Sequence, residues 1–316
     1  MVELQLISLA SIGVISLICQ WFAWRLRLPA ILFLLMAGII LGPYLGFLNP
    51  DKLLGDMLFP IVSLAVAVIL FEGSLTLKFT ELKEHGKMVR NLLISGVLVT
   101  WIIATLACRY VVGISWGVST LFGAIVVVSG PTVIMPLLRA VRPNGRISNI
   151  LKWEGIVVDP IGALLAVLVF EFIVSSGSGQ GYAIEHTLVT FGKTLILGVV
   201  LGCSSGYLLG QALRNRWLPH FLQNAGTLTF MLGCFAFSNF LEHESGLLTV
   251  TIMGIWLANM KGVPVDEILE FKESLSVLLI SALFILLAAR MDLDSIVILG
   301  WAPIWVIAIL MLVARP

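Results

Sequence analysis

Eleven apolar runs follow one another along the 316 residues, each close to the roughly 20 residues that a helix needs to cross a bilayer. Their limits fall near 4–24, 29–48, 57–77, 88–112, 117–139, 150–174, 187–213, 224–241, 245–260, 274–291 and 296–316. At membrane depth no water satisfies the backbone, so runs of this kind must be helices or strands of a closed barrel, and their length selects helices. Only 12% of the residues are charged and 59% are apolar, against about 25% charged in a soluble domain. The expected fold is therefore an all-α polytopic membrane protein, with the lipid bilayer as its first partner. A net charge of +1 carries no basic footprint and argues against nucleic acid. Cys19, Cys108, Cys203 and Cys234 lie apart inside apolar runs, which suits core filling rather than a metal site or a disulfide framework. The N-terminus, MVELQ, lacks the basic start of a cleaved leader, so the first run is kept as a span.

Lysine and arginine set the orientation. Fourteen of the 19 lie on the side that holds the loops after spans one, three, five, seven and nine, from Arg25 and Arg27 to Lys261 and Lys272. That side is expected to be cytoplasmic and the N-terminus outside. The loop Lys261–Glu273 is expected to form an amphipathic interfacial turn or two, its charges a solvated face.

A weak repeat recurs at a constant offset of 216 residues. Pro29-Ala30-Ile31-Leu32 through Gly38-Ile39-Ile40-Leu41 falls on Ser245-Gly246-Leu247-Leu248 through Gly254-Ile255-Trp256-Leu257, and Leu70–Leu77 falls on Leu286–Leu293. The offset covers seven spans, an odd number, so the second copy is inverted in the membrane. Inverted repeats with broken helices at mid-depth belong to secondary transporters. Counterparts of spans five and six would begin near 333 and 366, past Pro316, so the chain reads as a C-terminally truncated piece lacking two spans.

Spans five and six carry what a lipid-facing helix should not. Span five contains Ser129-Gly130-Pro131-Thr132, a helix breaker at Pro131 flanked by hydroxyls, and span six contains Asp159 followed by a second expected helix breaker, Pro160. Counted from the span ends at roughly 1.5 Å per residue, both sit near mid-bilayer. Freed backbone groups are tolerated there only where protein or a watery cavity satisfies them, and an ionisable residue at that depth marks a functional site by default. A hard cation needs oxygen ligands. The candidates are the Asp159 carboxylate, the Ser129 and Thr132 hydroxyls, and carbonyls freed around Gly130-Pro131. The plainer reading is a packing kink beside a protonated, hydrogen-bonded aspartate.

Glu154 precedes Asp159 by five residues, so their side chains diverge by roughly 140° at about 100° per residue. They do not converge on one atom, which disfavours a paired-carboxylate enzyme site. Glu154 either pairs with Arg315 of span eleven or snorkels to the interface. Glu72 either lines the cytoplasmic approach or forms structural hydrogen bonds. Arg290 reads as an anchor rather than a ligand. Gln20, Asn224, Asn239 and Asn259 read as interhelical glue. Gly198, Gly202, Gly206 and Gly210 form a stripe suited to close helix packing. The four histidines fall near loops and suggest no proton relay.

With LPAILFLLMAGIILGP, LFEGSLTL, VSGPTVIMPLLR, WEGIVVDPIGA and a terminal VARP on the page, the chain resembles the monovalent cation/proton antiporter superfamily. Its nearest likeness is to bacterial sodium/proton antiporters of the NhaP type, relatives of the eukaryotic sodium/proton exchangers. The resemblance implies thirteen helices, two of them crossed and unwound, in a homodimer. It divides the chain into a dimerisation scaffold (1–77 and 187–291) and a core ion-transport domain (88–174 and part of an eleventh span, 296–316). It makes Asp159 the ion- and proton-carrying aspartate, Glu154 the partner of Arg315, and Glu72 a neighbour of the ion site. It implies no cofactor beyond the transported Na⁺ or K⁺ and H⁺, a multi-pass location in the cell (inner) membrane, and in some relatives a cytoplasmic regulatory domain, here beyond Pro316. Two departures stand out. The usual Thr-Asp-Pro is Ser129-Gly130-Pro131, and the serine and asparagine usual in span six are replaced by Gly155 and Val158.

The mechanism that follows is exchange by competition. Burial disfavours the charged carboxylate while a bound cation favours it, so cation and proton compete for Asp159. If only loaded states change facing, competition alone couples the two fluxes, and a single mid-membrane carboxylate suits 1:1 electroneutral exchange. An ion-coupled organic-solute symporter would need a second intramembrane polar cluster. An intramembrane aspartyl protease would need a second aspartate. A non-transporting membrane sensor would show no cation-dependent proton flux.

Overall fold

The computed structural model describes residues 2–26, 28–130, 133–134, 137–138, 141–175, 180–263, 265–293 and 299–314. Among them every regular element is helical. Helix α1 spans Val2–Leu26, and α2 spans Ala30–Ile39 and runs on through a π turn, Ile40–Tyr44. The short α3, Pro50–Leu54, has proline at its first position and Asn49 as cap, its Oδ1 accepting from Lys52 N at 3.0 Å. Helix α4 spans Leu58–Leu75. Helices α5 (Phe79–Asn91) and α6 (Val97–Ala107) are joined through a π turn, Leu92–Gly96. Then come α7 (Trp116–Val127), α8 (Gly145–Ser175), α9 (Gln180–Arg214), α10 (His220–Leu241), α11 (Ser245–Asn259), α12 (Val265–Ala289) and α13 (Ala302–Ile309).

Each of the eleven expected spans carries helix among its described residues, but the helices differ in length. Among the described residues, five helical stretches are long and apolar enough to cross a bilayer: Leu6–Leu26, Pro50–Leu75, Gly86–Val112, Gly145–Val174 and Val189–Arg214. Others are shorter, among them Trp116–Val127, whose 12 residues cover only about 18 Å. The loop expected to be an interfacial turn is instead largely the first part of α12. Large apolar side chains point outward along the bundle, such as Phe240, 85% exposed, and Leu17, 72% exposed. A lipid surround makes that arrangement favourable.

Packing falls into two groups. Phe71 and Leu75 of α4, Leu209 and Leu213 of α9, Met231 and Phe235 of α10 and Met253 and Leu257 of α11 form one apolar cluster. A neighbouring cluster joins α1, α2 and α12 through Ile12, Leu34 and Ile285. Separately, Leu77, Val89, Trp153 and Ile156 join α5 to α8, and Val97, Val127 and Val158 join α6, α7 and α8.

Glycines decide how closely the first group packs. A Cβ at Gly202 would stand 2.7 Å from Ile252 Cβ and 2.8 Å from the Thr249 carbonyl oxygen. Gly198, Gly206 and Gly210 meet Leu248, Trp256 and Met260, so α9 and α11 run parallel at a constant step along the whole stripe. The stripe is a packing seam of the small-residue kind. The residues matched at offset 216 pack reciprocally. A Cβ at Gly38 would stand 2.6 Å from the Ile285 carbonyl oxygen of α12, and one at its counterpart Gly254 would stand 2.9 Å from the Phe71 carbonyl oxygen of α4. Gly38 of α2 thus lies against α12, and Gly254 of α11 against α4.

Three of the four amides read as glue, Gln20, Asn239 and Asn259, make bonds between helices. Gln20 Nε2 donates to Ser281 Oγ at 3.0 Å, and Asn239 Oδ1 accepts from Gly246 N at 2.8 Å. Arg290 is an anchor: its Nε lies 3.1 Å from the Asp51 carboxylate, and its guanidinium sits 4.9 Å from the centre of the Phe59 ring.

Candidate functional site

Helix α7 starts on a serine cap, Ser115, and ends where Val128 turns extended (φ −60°, ψ 124°). Its ending follows from the sequence. A proline disfavours helical geometry in the residue before it, and that residue here is Gly130. Val128, Ser129 and Gly130 lie outside any helix. Helical backbone resumes as the Gly130 carbonyl accepts from Val133 N at 3.1 Å and Ile134 N at 3.2 Å. The Ser129 hydroxyl is buried without a hydrogen-bond partner. Pro131 and Thr132 lie outside the described residues.

Helix α8 crosses this break antiparallel. A Cβ at Gly155 would stand 2.9 Å from the Ser129 carbonyl oxygen and would collide with Ile134, while one at Gly162 would collide with Val128. Asp159 comes four residues after the first glycine and three before the second. At about 100° per residue, all three share one face of α8. That face is the one laid against the broken segment. Asp159 is partly buried between the two crossing points. The register of the two segments therefore places Asp159 alongside Ser129-Gly130.

One expectation is corrected. Pro160 does not break its helix: α8 continues as α-helix through it for 31 residues. Proline removes one N–H and leaves the Ile156 carbonyl without its intrahelical donor. Helices in lipid tolerate that loss where neighbours restrain the backbone, and Pro160 and Ile156 are both buried here. The break belongs to one crossing strand only.

Other expected site residues lie apart from this crossing. Val158, where the resembled family has asparagine, is 2% exposed and packs with Val97 and Val127, so it turns no ligand toward the break. Glu154 is partly buried one residue after Trp153, whose ring stacks on Phe79 at 6.1 Å. Its expected partner Arg315 lies outside the described residues. Glu72 is partly buried on α4, a helix that packs mainly on α11 and α12. No group of three His, Cys, Asp or Glu among the described residues could hold a metal ion, so the crossing offers a single carboxylate with hydroxyl and carbonyl oxygens.

Two features escaped the sequence reading. Gly155 and Gly162 were visible only as small residues, yet they set how closely α8 reaches the break. A shallow crevice of about 10 Å³ between α8 and α9 is lined by Leu164, Val167, Leu168, Glu171, Thr190, Phe191 and Thr194. The spacing 164, 167, 168, 171 is a helical stripe ending in an acid, a signal present in the sequence.

The sequence pattern of the family described as "Sodium/hydrogen exchanger, transmembrane" matches residues 13–316. The chain belongs to that family. It is 26% identical over 253 residues to the K(+)/H(+) antiporter NhaP2 of Shewanella oneidensis, covering 79% of this chain and 43% of that protein. It is 23% identical over 286 residues to the Probable Na(+)/H(+) antiporter 2 of Methanocaldococcus jannaschii, covering 86% of this chain and 65% of that one. The match thus spans less than half the length of NhaP2. Its fold matches the solved structure of the sodium proton antiporter MjNhaP1 from Methanocaldococcus jannaschii at pH 8, with a TM-score of 0.81 at 21% identity, over 98% of this chain and 79% of that one. The resemblance to cation/proton antiporters and the polytopic all-helical fold both stand.

Proposed function

We propose that the protein is a secondary active transporter that exchanges a monovalent cation, Na⁺ or K⁺, for H⁺, with both competing for Asp159. The observation that carries this reading is the antiparallel crossing, in which one face of α8 presents Gly155, Asp159 and Gly162 to non-helical backbone at Val128–Gly130. A carboxylate taken out of water resists ionisation unless a cation compensates it. The extended backbone beside it supplies oxygens of the kind a hard monovalent cation accepts. Similar proteins are named for both K⁺ and Na⁺ exchange, so the cation is either.

In this reading Ser129, Thr132 and Gly130 share the cation with Asp159, Glu72 lines the approach, and Glu154 is held by Arg315. The α4, α9–α12 group and its α1–α2 neighbour act as scaffold and dimer face, and α5–α8 with part of α13 act as the moving core. The protein sits in the cell (inner) membrane with its N-terminus outside, as a homodimer. The test is Asp159→Asn in the full-length protein, read as cation-driven pH change in proteoliposomes. Exchange is expected to fall to the protein-free background. Undiminished exchange removes Asp159 from the mechanism, and no cation-dependent flux in the wild type points to a sensor.

A further inference from the structure

Helix α4 belongs to one packing group and α5 to the other, and only Thr76–Lys78 join them. The first amides of a helix need acceptors, yet the residue before α5, Lys78, makes no side-chain cap bond. The acceptor comes from 180 residues away. Asn259, the last residue of α11, takes the Phe79 N–H on its Oδ1 at 2.7 Å. Its Nδ2 donates to the Leu77 carbonyl at 2.9 Å and to its own Ile255 carbonyl at 2.7 Å. One side chain therefore clasps the joint on both sides of Lys78 while tied to its own helix.

The clasped residues lead on to the site. Leu77 is fully buried with Trp153 and Ile156 of α8, and the Phe79 ring stacks on Trp153 at an interplanar angle of 26°. Trp153 stands on the same unbroken helix as Asp159. A short packed path runs from α11 through Asn259 and the joint to the helix that bears the carboxylate. On the other side, Leu257, two residues before Asn259, is fully buried in the α4–α9–α10–α11 cluster. The amide is thus anchored in one group and fastened to the entry of the other.

We propose that Asn259 is a positioning residue for exchange: it fixes the α4–α5 joint on α11 as the pivot about which α8 and Asp159 change facing. This rests on the exchange reading above. Asn259 does not touch the cation, so loosening it slows the change of facing and leaves cation binding alone.

The experiment uses full-length protein in proteoliposomes, comparing wild type with Asn259→Ala and the near-isosteric Asn259→Asp, which keeps the acceptor for Phe79 N and loses the donor to Leu77. Hydrogen exchange at the Phe79 amide is expected to rise about fivefold in Asn259→Ala, the factor for one ordinary hydrogen bond. Turnover is expected to fall by about the same factor, with Asn259→Asp in between and the cation KM unchanged. A shifted KM with unchanged turnover, or wild-type turnover in both variants, overturns the pivot while the exchange reading stands. No exchange by the wild type overturns both readings.

Discussion

The α9–α11 seam and the α7–α8 crossing both depend on glycine, and to opposite ends. Along the seam four glycines spaced by four residues let two regular helices close on each other. There the polar groups are paired: Thr249 Oγ1 reaches the Gly198 carbonyl at 3.5 Å, and the Ser238, Ser245 and Thr249 hydroxyls bond one another at 2.7 and 2.8 Å. At the crossing two glycines admit a helix to backbone that is no longer helical. There polar groups remain open, with a partnerless buried hydroxyl at Ser129 and a carboxylate between the contacts. Small residues hide backbone in one place and present it in the other. The proposed cation site lies where it is presented.

Substitutions that add a single side chain test this contrast. Gly155→Ala should act on transport: its Cβ meets a backbone oxygen, Ser129 O at 2.9 Å, that cannot turn aside. Displacing a site by a fraction of an ångström to an ångström costs on the order of tenfold to a hundredfold in rate. Cation-driven proton flux should fall by that factor with little change in thermal midpoint, and unchanged flux would break the assignment of the crossing as the site. Gly202→Leu should act the other way. Overpacking the seam costs roughly 1–3 kcal/mol, seen as a lower melting temperature in detergent, with flux per folded molecule retained. A drop in flux without a drop in stability would make the seam functional after all.

Two smaller effects calibrate the pair. Gly233 of α10 has nothing within 4 Å of an added Cβ, so Gly233→Ala should stabilise by about 0.5–1 kcal/mol through helix propensity alone. Destabilisation there would reveal a neighbour pressed against that face. Arg290→Gln removes an ion pair whose side chains are 40% and 56% exposed. Its expected cost is about 0.2–1 kcal/mol, shrinking in high salt, and a salt-independent loss would show that the Phe59 contact carries the anchor.

Much of the site was legible in the chain. Asp159 inside an apolar run and Ser129-Gly130-Pro131 inside another are costly at membrane depth, and cost makes them conspicuous. Pro160 misled for the same reason: a helix breaker by local rule, it is carried through because buried neighbours hold the backbone straight. The partners of Gly155, Gly162 and Asn259 left no mark. In water an amphipathic stripe betrays which face of a helix is packed. In lipid both faces are apolar and the stripe fades, so a helix such as α8 reads the same all round.

The sequence by itself determined that the chain crosses a membrane as helices, that one crossing fails in mid-span, and that a single acid stands at that depth. Those properties are local, written in hydropathy and in the chemistry of proline, glycine and aspartate. The tertiary structure alone decided that the α8 face bearing Gly155, Asp159 and Gly162 is turned toward the break. It also decided that an asparagine 180 residues away caps the joint leading there. Both depend on which distant helices meet, and close packing settles that, because lipid exerts no hydrophobic preference between one apolar face and another.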